Sequence, residues 1–373
     1  MKFSDVLDIR NGRNQRQVEN ENGKYPIYGS GGIMGRADDF ICDAETVVLG
    51  RKGSINNPIF VDEPFWNVDT AFGLVAHKDV LLPKYLYYFC VNFDFERLNT
   101  TVTIPSLTKA NLLQVEISVP DMDKQRYIVG ILDKVCHLIE LRQQELHELN
   151  QLVKSRFIEL FGDPECNPYG WPCKLLGQLV LVEPQNGMYK PQTDYVQDGS
   201  GTPILRIDAF YNGKVTDFRK LKRLNCTEVE KQRYLLREHD IVINRVNSIE
   251  YLGKCAHICG MEEDTVFESN MMRFHLDESV MDAVYATHFL CSQYIYKQIL
   301  RKAKKAVNQA SINQSDVTSF ELLVPPLTTQ KQFAAFVEQT DKSKYYSKLS
   351  LALCRVTATL IGQEWMKCQT SNS

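Results

Sequence analysis

The sequence predicts two globular α/β (α+β) heads joined by two long helices that form a coiled coil, arranged as a pseudo-twofold internal repeat. Three observations carry this. First, segments 205 residues apart match: Ser106, Glu116, Val119, Pro120, Gln125 and Leu146 recur as Ser311, Glu321, Val324, Pro325, Gln330 and Leu351. Second, each copy reads as a short loop, a strand ending in Val-Pro, and a long helix; proline stops a strand ladder and suits a helix start. Third, the residues outside the helices fall into two segments of roughly 100 and 145, both with short strand signals and turns. The chain has 373 residues, 44% hydrophobic and 24% charged, a globular composition with room for two domains of about 150 residues.

The elements follow in order. Residues 1–121 form the first head. Within it, Thr46–Gly50 is a buried β-run that breaks into a polar loop opening with Arg51, and Pro83–Cys90 is a helix. Residues 122–163 form the central helix. From Lys124 to Phe161 there is no proline, and Leu132, Ile139, Leu146, Val153 and Leu160 recur every seven residues. At 1.5 Å per residue its length is roughly 57 Å. Gly162-Asp163-Pro164 ends it.

Residues 164–325 form the second head. There Asp240–Asn244 and Arg245 mirror the first β-run and its arginine, and Ala286–Ile295 mirrors the first helix. Residues 326–373 form the C-terminal helix, where Tyr346, Leu349, Leu353, Val356 and Leu360 alternate spacings of three and four. That narrow seam suits one partner helix, and the two seams are expected to pack together.

Composition excludes several classes. Net charge is -3, so there is no global basic field. No run reaches the ~18 apolar residues of a membrane span. The opening segment lacks the apolar core of a secretory signal. Eleven scattered cysteines without CxxC pairs fit small core residues in a reducing cytoplasm. There is no GxxxxGK[ST] loop, no GxSxG elbow and no HExxH. Asn57-Pro58-Ile59-Phe60 lacks the second proline and the upstream glycine loop of an amino-methyltransferase. No residue set points to covalent chemistry, and no metal or cofactor site is expected in this chain.

The basic residues are local. Arg10 and Arg13 lie in a turn-rich N-terminal stretch. Arg51, Lys52 and Ser54, and Arg245, Asn247 and Ser248, follow equivalent strands. Tyr189 and Lys190 sit in a polar turn, and Arg206 lies further along the second head. Gly31, in Tyr28–Gly32, would let backbone N–H groups approach a phosphate. Phosphate binding wants Lys and Arg on one face, and base reading wants Arg, Asn or Gln at a groove. These residues are the candidate DNA contacts.

The strand-Pro-helix units at 103–163 and 308–365, the phrases Tyr25–Ile33, Val47–Ser54 and His239–Arg245, and Gly170-Trp171-Pro172 together resemble the specificity (S, HsdS) subunit of type I restriction-modification systems. The resemblance covers nearly the full length. It implies two target-recognition domains, each reading half of a bipartite, asymmetric double-stranded DNA sequence. They would sit at opposite ends of an antiparallel helix pair that acts as a ruler; 57 Å spans about 17 base pairs.

It further implies docking of two methyltransferase (M) subunits, which carry S-adenosylmethionine and methylate adenine. Restriction (R) motor-nuclease subunits would join with ATP and Mg. This chain itself would be non-catalytic. Two alternatives are a specificity subunit for another restriction type with a fused nuclease-methyltransferase, and a coiled-coil scaffold that binds no DNA.

Overall fold

The computed structural model describes residues 1–99 and 105–367. Residues 103–104 and 368–373 of the expected repeat and C-terminal helix lie outside this range. The chain divides into two compact units: residues 1–146 with 345–373, and residues 147–344.

The first unit opens with helix α1 (Phe3–Val6). It continues with strands β1 (Leu7–Asn11), β2 (Tyr25–Gly29), β3 (Gly32–Ala37), β4 (Thr46–Gly50), β5 (Ile59–Val61), β6 (Trp66–Asn67) and β7 (Ala71–Ala76). Helices α2 (Pro83–Asn92) and α3 (Lys109–Leu113) follow, then α4 (Met122–Phe161), which runs on into the second unit. An antiparallel sheet has the order β1-β7-β4-β5; a smaller one has the order β3-β2-β6. All five residues of β4 are buried, as a near-continuous apolar run requires. Val47, Leu49, Phe72 and Leu74 pack against Tyr85 and Leu86 of α2 and Ile128 and Leu132 of α4.

The second unit adds β8 (Cys173–Leu175), β9 (Val180–Asn186), β10 (Tyr195–Val196), β11 (Thr202–Leu205), β12 (Phe210–Tyr211), β13 (Gly213–Val215) and β14 (Lys222–Leu224). Helix α5 (Glu228–Tyr234) precedes β15 (Ile241–Asn244), β16 (Val246–Asn247), β17 (Cys255–His257), β18 (Val266–Phe267) and β19 (Met271–Leu276). Then come α6 (Ala283–Leu290), α7 (Gln293–Lys302), β20 (Lys304–Lys305), β21 (Ala310–Ser311), α8 (Gln314–Thr318), β22 (Glu321–Leu323) and α9 (Leu327–Lys367).

In the six-stranded sheet β12-β13-β17-β15-β19-β9, the portion β17-β15-β19-β9 repeats the order β5-β4-β7-β1 of the first unit's main sheet. Likewise β11 pairs parallel with β18 through Ile204 and Val266, as β2 pairs parallel with β6 through Ile27 and Trp66. The core gathers Phe157, Phe161, Tyr285, Phe289 and Phe333, with Phe161 and Tyr285 rings 4.5 Å apart. Burying each such side chain contributes roughly 1.5–3 kcal/mol.

The duplication reaches single atoms. Fully buried Gln125 accepts from the Leu82 backbone N–H at 2.8 Å and donates to the Val80 and Pro120 carbonyls, each at 2.8 Å. Fully buried Gln330 accepts from the Asp282 N–H at 2.8 Å and donates to Val280 at 3.1 Å and Pro325 at 2.8 Å. Each glutamine thus ties the residue before a head helix to the proline before a long helix. The clamps pair Pro83 with Ala283, not with Ala286 as the sequence alignment had it. The second head also continues into α7 after a break at Cys291-Ser292.

Expected features of the long helices divide. Gly162 does end α4, with φ of 76° and its N–H donating to Ile158. Leu132 and Val153 are buried; Ile139 and Leu146 are half-buried. The C-terminal seam is corrected: Tyr346, Leu349, Leu353, Val356 and Leu360 are all 55–68% exposed.

The inward row of α9 instead runs through Thr340, Lys344, Ser347, Leu351, Cys354 and Ile361, buried or half-buried at the same alternating spacing. In the first unit Ile361 packs with the cluster holding Ile128 and Leu132, while the Ser347 hydroxyl donates to Glu145. In the second, Phe333 meets Phe161 and Phe336 lies under Arg156. Within each unit the helical pieces therefore run antiparallel. Hydrophobicity alone points to the wrong face, because the inward row mixes the polar Thr340, Lys344 and Ser347 with Leu351, Cys354 and Ile361, whereas the exposed row is apolar or aromatic throughout. The first repeat's Val-Pro segment forms only a bridge, Glu116 to Lys2, where the second forms β22 paired with β8.

Candidate nucleic-acid interface

In the first unit, three chain segments meet at one end of the main sheet. Strand β1 ends opposite the start of β7, with Asn11 facing Phe72. Strand β4 ends beside it, with Gly50 facing Ala71. Beyond the ladder, the Thr70 carbonyl accepts from the Arg51 N–H at 2.8 Å and the Lys52 N–H at 3.3 Å. Gly12 donates to Ala71, and Arg13 to Asn67.

The β2–β3 hairpin brings Ser30 and Gly31 to the same rim, since Ser30 lies near Gly53. Gly53, at φ 83°, turns the loop and donates to Pro105. The rim thus gathers exposed Arg13, Gly31, Arg51, Lys52 and Ser54. Arg51 lies over the Phe72 ring, 5.7 Å from its centre. Arg10 is also exposed, one ladder step further in, opposite Gly73.

The second unit repeats this rim. The Asn270 carbonyl accepts from Arg245 at 2.8 Å and Val246 at 3.3 Å. Ile312 donates to the Arg245 carbonyl at 2.9 Å, as Leu107 donates to that of Arg51 at 2.9 Å. Gly187 donates to Met271, and Met188 to Phe267. Asn247 and Ser248 are half-buried on β16 and just beyond it. Tyr189 stands 79% exposed.

Three of the second unit's cations are committed to the protein. Half-buried Arg245 donates through Nη1 to the Ser269 carbonyl at 3.1 Å. Lys190 pairs with Glu230 at 2.9 Å and Asp194 at 3.6 Å; its hydrogen bond to Glu230 holds its pKa above the usual lysine value. Arg206 sits between Asp208 and Glu268, at 3.8 and 3.7 Å, over Tyr195. Burial raises the Glu268 carboxyl above its ordinary range, and the Arg206 charge opposes that. Asp194 and Asp208 are sequence neighbours of these cations, but Glu230 and Glu268 lie 40 and 62 residues away, which is why the full pairing was not legible there.

Sequence reasoning missed the matched dipeptides Asn11-Gly12 and Asn186-Gly187. At Gly12 a Cβ would overlap the Val68 carbonyl, and at Gly187 that of Glu268. Each glycine lets the rim strand pass against a neighbouring backbone. The repeated Asn-Gly was available as a signal. Fully buried Asn67 was also missed; its amide reaches the Ala71 carbonyl at 3.3 Å, bracing the rim from beneath.

Residues 1–151 and 168–348 match the family model of the type I restriction modification DNA specificity domain. The chain is 24% identical over 317 residues to the EcoKI specificity subunit of Escherichia coli K12, covering 78% of this chain and 65% of that protein. It is 23% identical over 310 residues to the StySPI specificity subunit of Salmonella potsdam, again covering 78% and 65%. The matches therefore span about two thirds of the length of these relatives. The crystal structure of a type I S subunit from M. genitalium aligns over 98% of this chain and 95% of that one, with a TM-score of 0.65 and 16% identity. A structure of type I R-M complex assembly and conformational transition aligns over 98% and 96%, with a TM-score of 0.57 and 15% identity.

Proposed function

The chain belongs to the type I restriction-modification DNA specificity family, and from that premise we propose that its two heads each read one half of a bipartite DNA target. The observation that carries the reading is the duplicated rim. Two heads with different side chains hold an arginine loop by the same three backbone hydrogen bonds, at the same distances. A conserved frame with divergent tips suits two readers of different sequences. In the first head, Arg51, Lys52 and Arg13 supply phosphate and guanine contacts, and the Gly31 turn lets backbone come close. In the second, Arg245 is held in place by Ser269, and Asn247 and Ser248 flank it.

This chain positions DNA and carries out no bond-making step. The methyl donor S-adenosylmethionine, and ATP with Mg for restriction, belong to partner subunits. The exposed row Tyr346, Leu349, Leu353, Val356 and Leu360 gives two methyltransferase subunits an apolar face to dock on; restriction subunits join that assembly. None of the described helices is long and apolar enough to cross a membrane, and a cytoplasmic place alongside DNA follows from the role proposed.

The test is methylation mapping of the host genome with and without this gene. Loss of N6-methyladenine at one bipartite motif supports the reading. Persistence of every motif in a host whose methyltransferase is expressed contradicts it.

A further inference from the structure

The second unit carries a projecting hairpin that the rim does not include. Strand β21 lies between β16 and β20: Ser311 pairs with Val246 and Lys304, and Ala310 with Asn247 and Lys305. The hairpin is therefore bonded to the strand that follows Arg245. At its end the Ala306 N–H donates to the Gln309 carbonyl at 2.7 Å, leaving Val307 and Asn308 as the tip. Residues 304–309 are all exposed, and Val307 is 99% exposed.

Charge singles out the same place. Between Asp282 and Asp316 there is no acidic residue, while Lys297, Arg301, Lys302, Lys304 and Lys305 fall inside that stretch. Lys297 pairs with Glu165. Arg301 and Lys302 also suit the C-terminal end of α7. Lys304 and Lys305 lie beyond that helix, with no carboxylate partner among the described residues.

The dimensions fit a groove. A major groove about 12 Å wide and 8.5 Å deep admits a two-stranded ribbon. From the Lys304–Ser311 pair to the tip is three to four residues, about 11 Å at ~3.3 Å each. Lysines level with the phosphates would leave the tip at the base edges. Asn and Gln match the paired donor and acceptor of adenine, and an apolar side chain suits the thymine methyl.

Resting on the function proposed above, we propose that hairpin 304–311 is a base-reading finger of the second head. Asn308 and Gln309 read an adenine edge, Val307 contacts a neighbouring thymine methyl, and Lys304 and Lys305 hold the flanking phosphates.

The test uses the full chain purified with its methyltransferase subunits. Bound duplexes are selected from a random library, and affinities are then measured on single-base variants of the selected site. Asn308→Ala with Gln309→Ala should lose about 10- to 100-fold discrimination at one or two A·T positions of one half-site only. Lys304→Ala with Lys305→Ala should weaken all duplexes and lower the slope of log affinity against log salt by about 1.8. Circular dichroism checks that both variants keep the wild-type fold, which their exposure favours.

Full discrimination by the tip variant, or equal loss in both half-sites, overturns the finger. A wild-type complex that selects no bipartite site overturns the function proposed above instead.

Discussion

At the scale of single residues, the buried glutamines dictate how a head meets its helix. Removing the Gln125 or Gln330 side chain leaves a buried backbone N–H and two carbonyls without partners, and such losses cost about 1–3 kcal/mol per group. Gln330→Ala should lower unfolding free energy by about 3 kcal/mol in urea titration; a loss under ~0.5 kcal/mol contradicts the clamp. The Gln125/Gln330 identity was legible in the sequence. Its role was not, because two of the three groups each glutamine holds lie 43 to 50 residues upstream.

Two histidines set a pH response at the same scale. Burial, aided by the His239 and Lys214 charges, lowers the His257 pKa to about 4. Burial, with Lys214 and Lys344, lowers that of His288 to about 4. Both are depressed from 6.5, so the unfolded chain binds more protons between these values. Stability is intact above pH 6.5 and falls as pH drops toward 4, by roughly 2–3 kcal/mol per ring. Denaturant melts across that window should show the fall, and H257Q with H288Q should flatten it. An equally steep profile in the double variant would exclude these rings as its source.

At the scale of elements, the long helices show where pattern reading succeeds and where it misleads. Central-helix extent and its glycine stop were legible, because proline absence and C′ glycine act locally. The face of α9 was not. Its inward positions include the polar Thr340, Lys344 and Ser347, which find local partners: the Phe336 carbonyl for Thr340, Asp341 for Lys344 and Glu145 for Ser347. Leu132→Asp should destabilise the chain by more than ~3 kcal/mol, since a buried charge there has no partner. Leu349→Asp and Leu353→Asp should change stability by under ~0.5 kcal/mol. They should instead reduce co-purification of methyltransferase subunits. Unfolding of the Leu353→Asp chain would return that row to the interior; undiminished co-purification would remove it from the docking face.

At the scale of the whole molecule, duplication with divergence is the organising fact. The repeat, the matched β4 and β15 runs and their arginines were all visible in the sequence. Sheet order and the rim's backbone bonds were not, since they join segments far apart in the chain. Nor was the commitment of Lys190 and Arg206 to carboxylates, which leaves the second head fewer free cations than its sequence suggests.

The central claim is that each head reads its own half-site. Its most direct test is genome-wide mapping of N6-methyladenine in cells carrying Arg51→Ala in place of the wild-type chain. The account predicts that one half-site relaxes, while the other half-site and the spacer stay as they were. Equal change in both half-sites, or a motif untouched by the substitution, would contradict it.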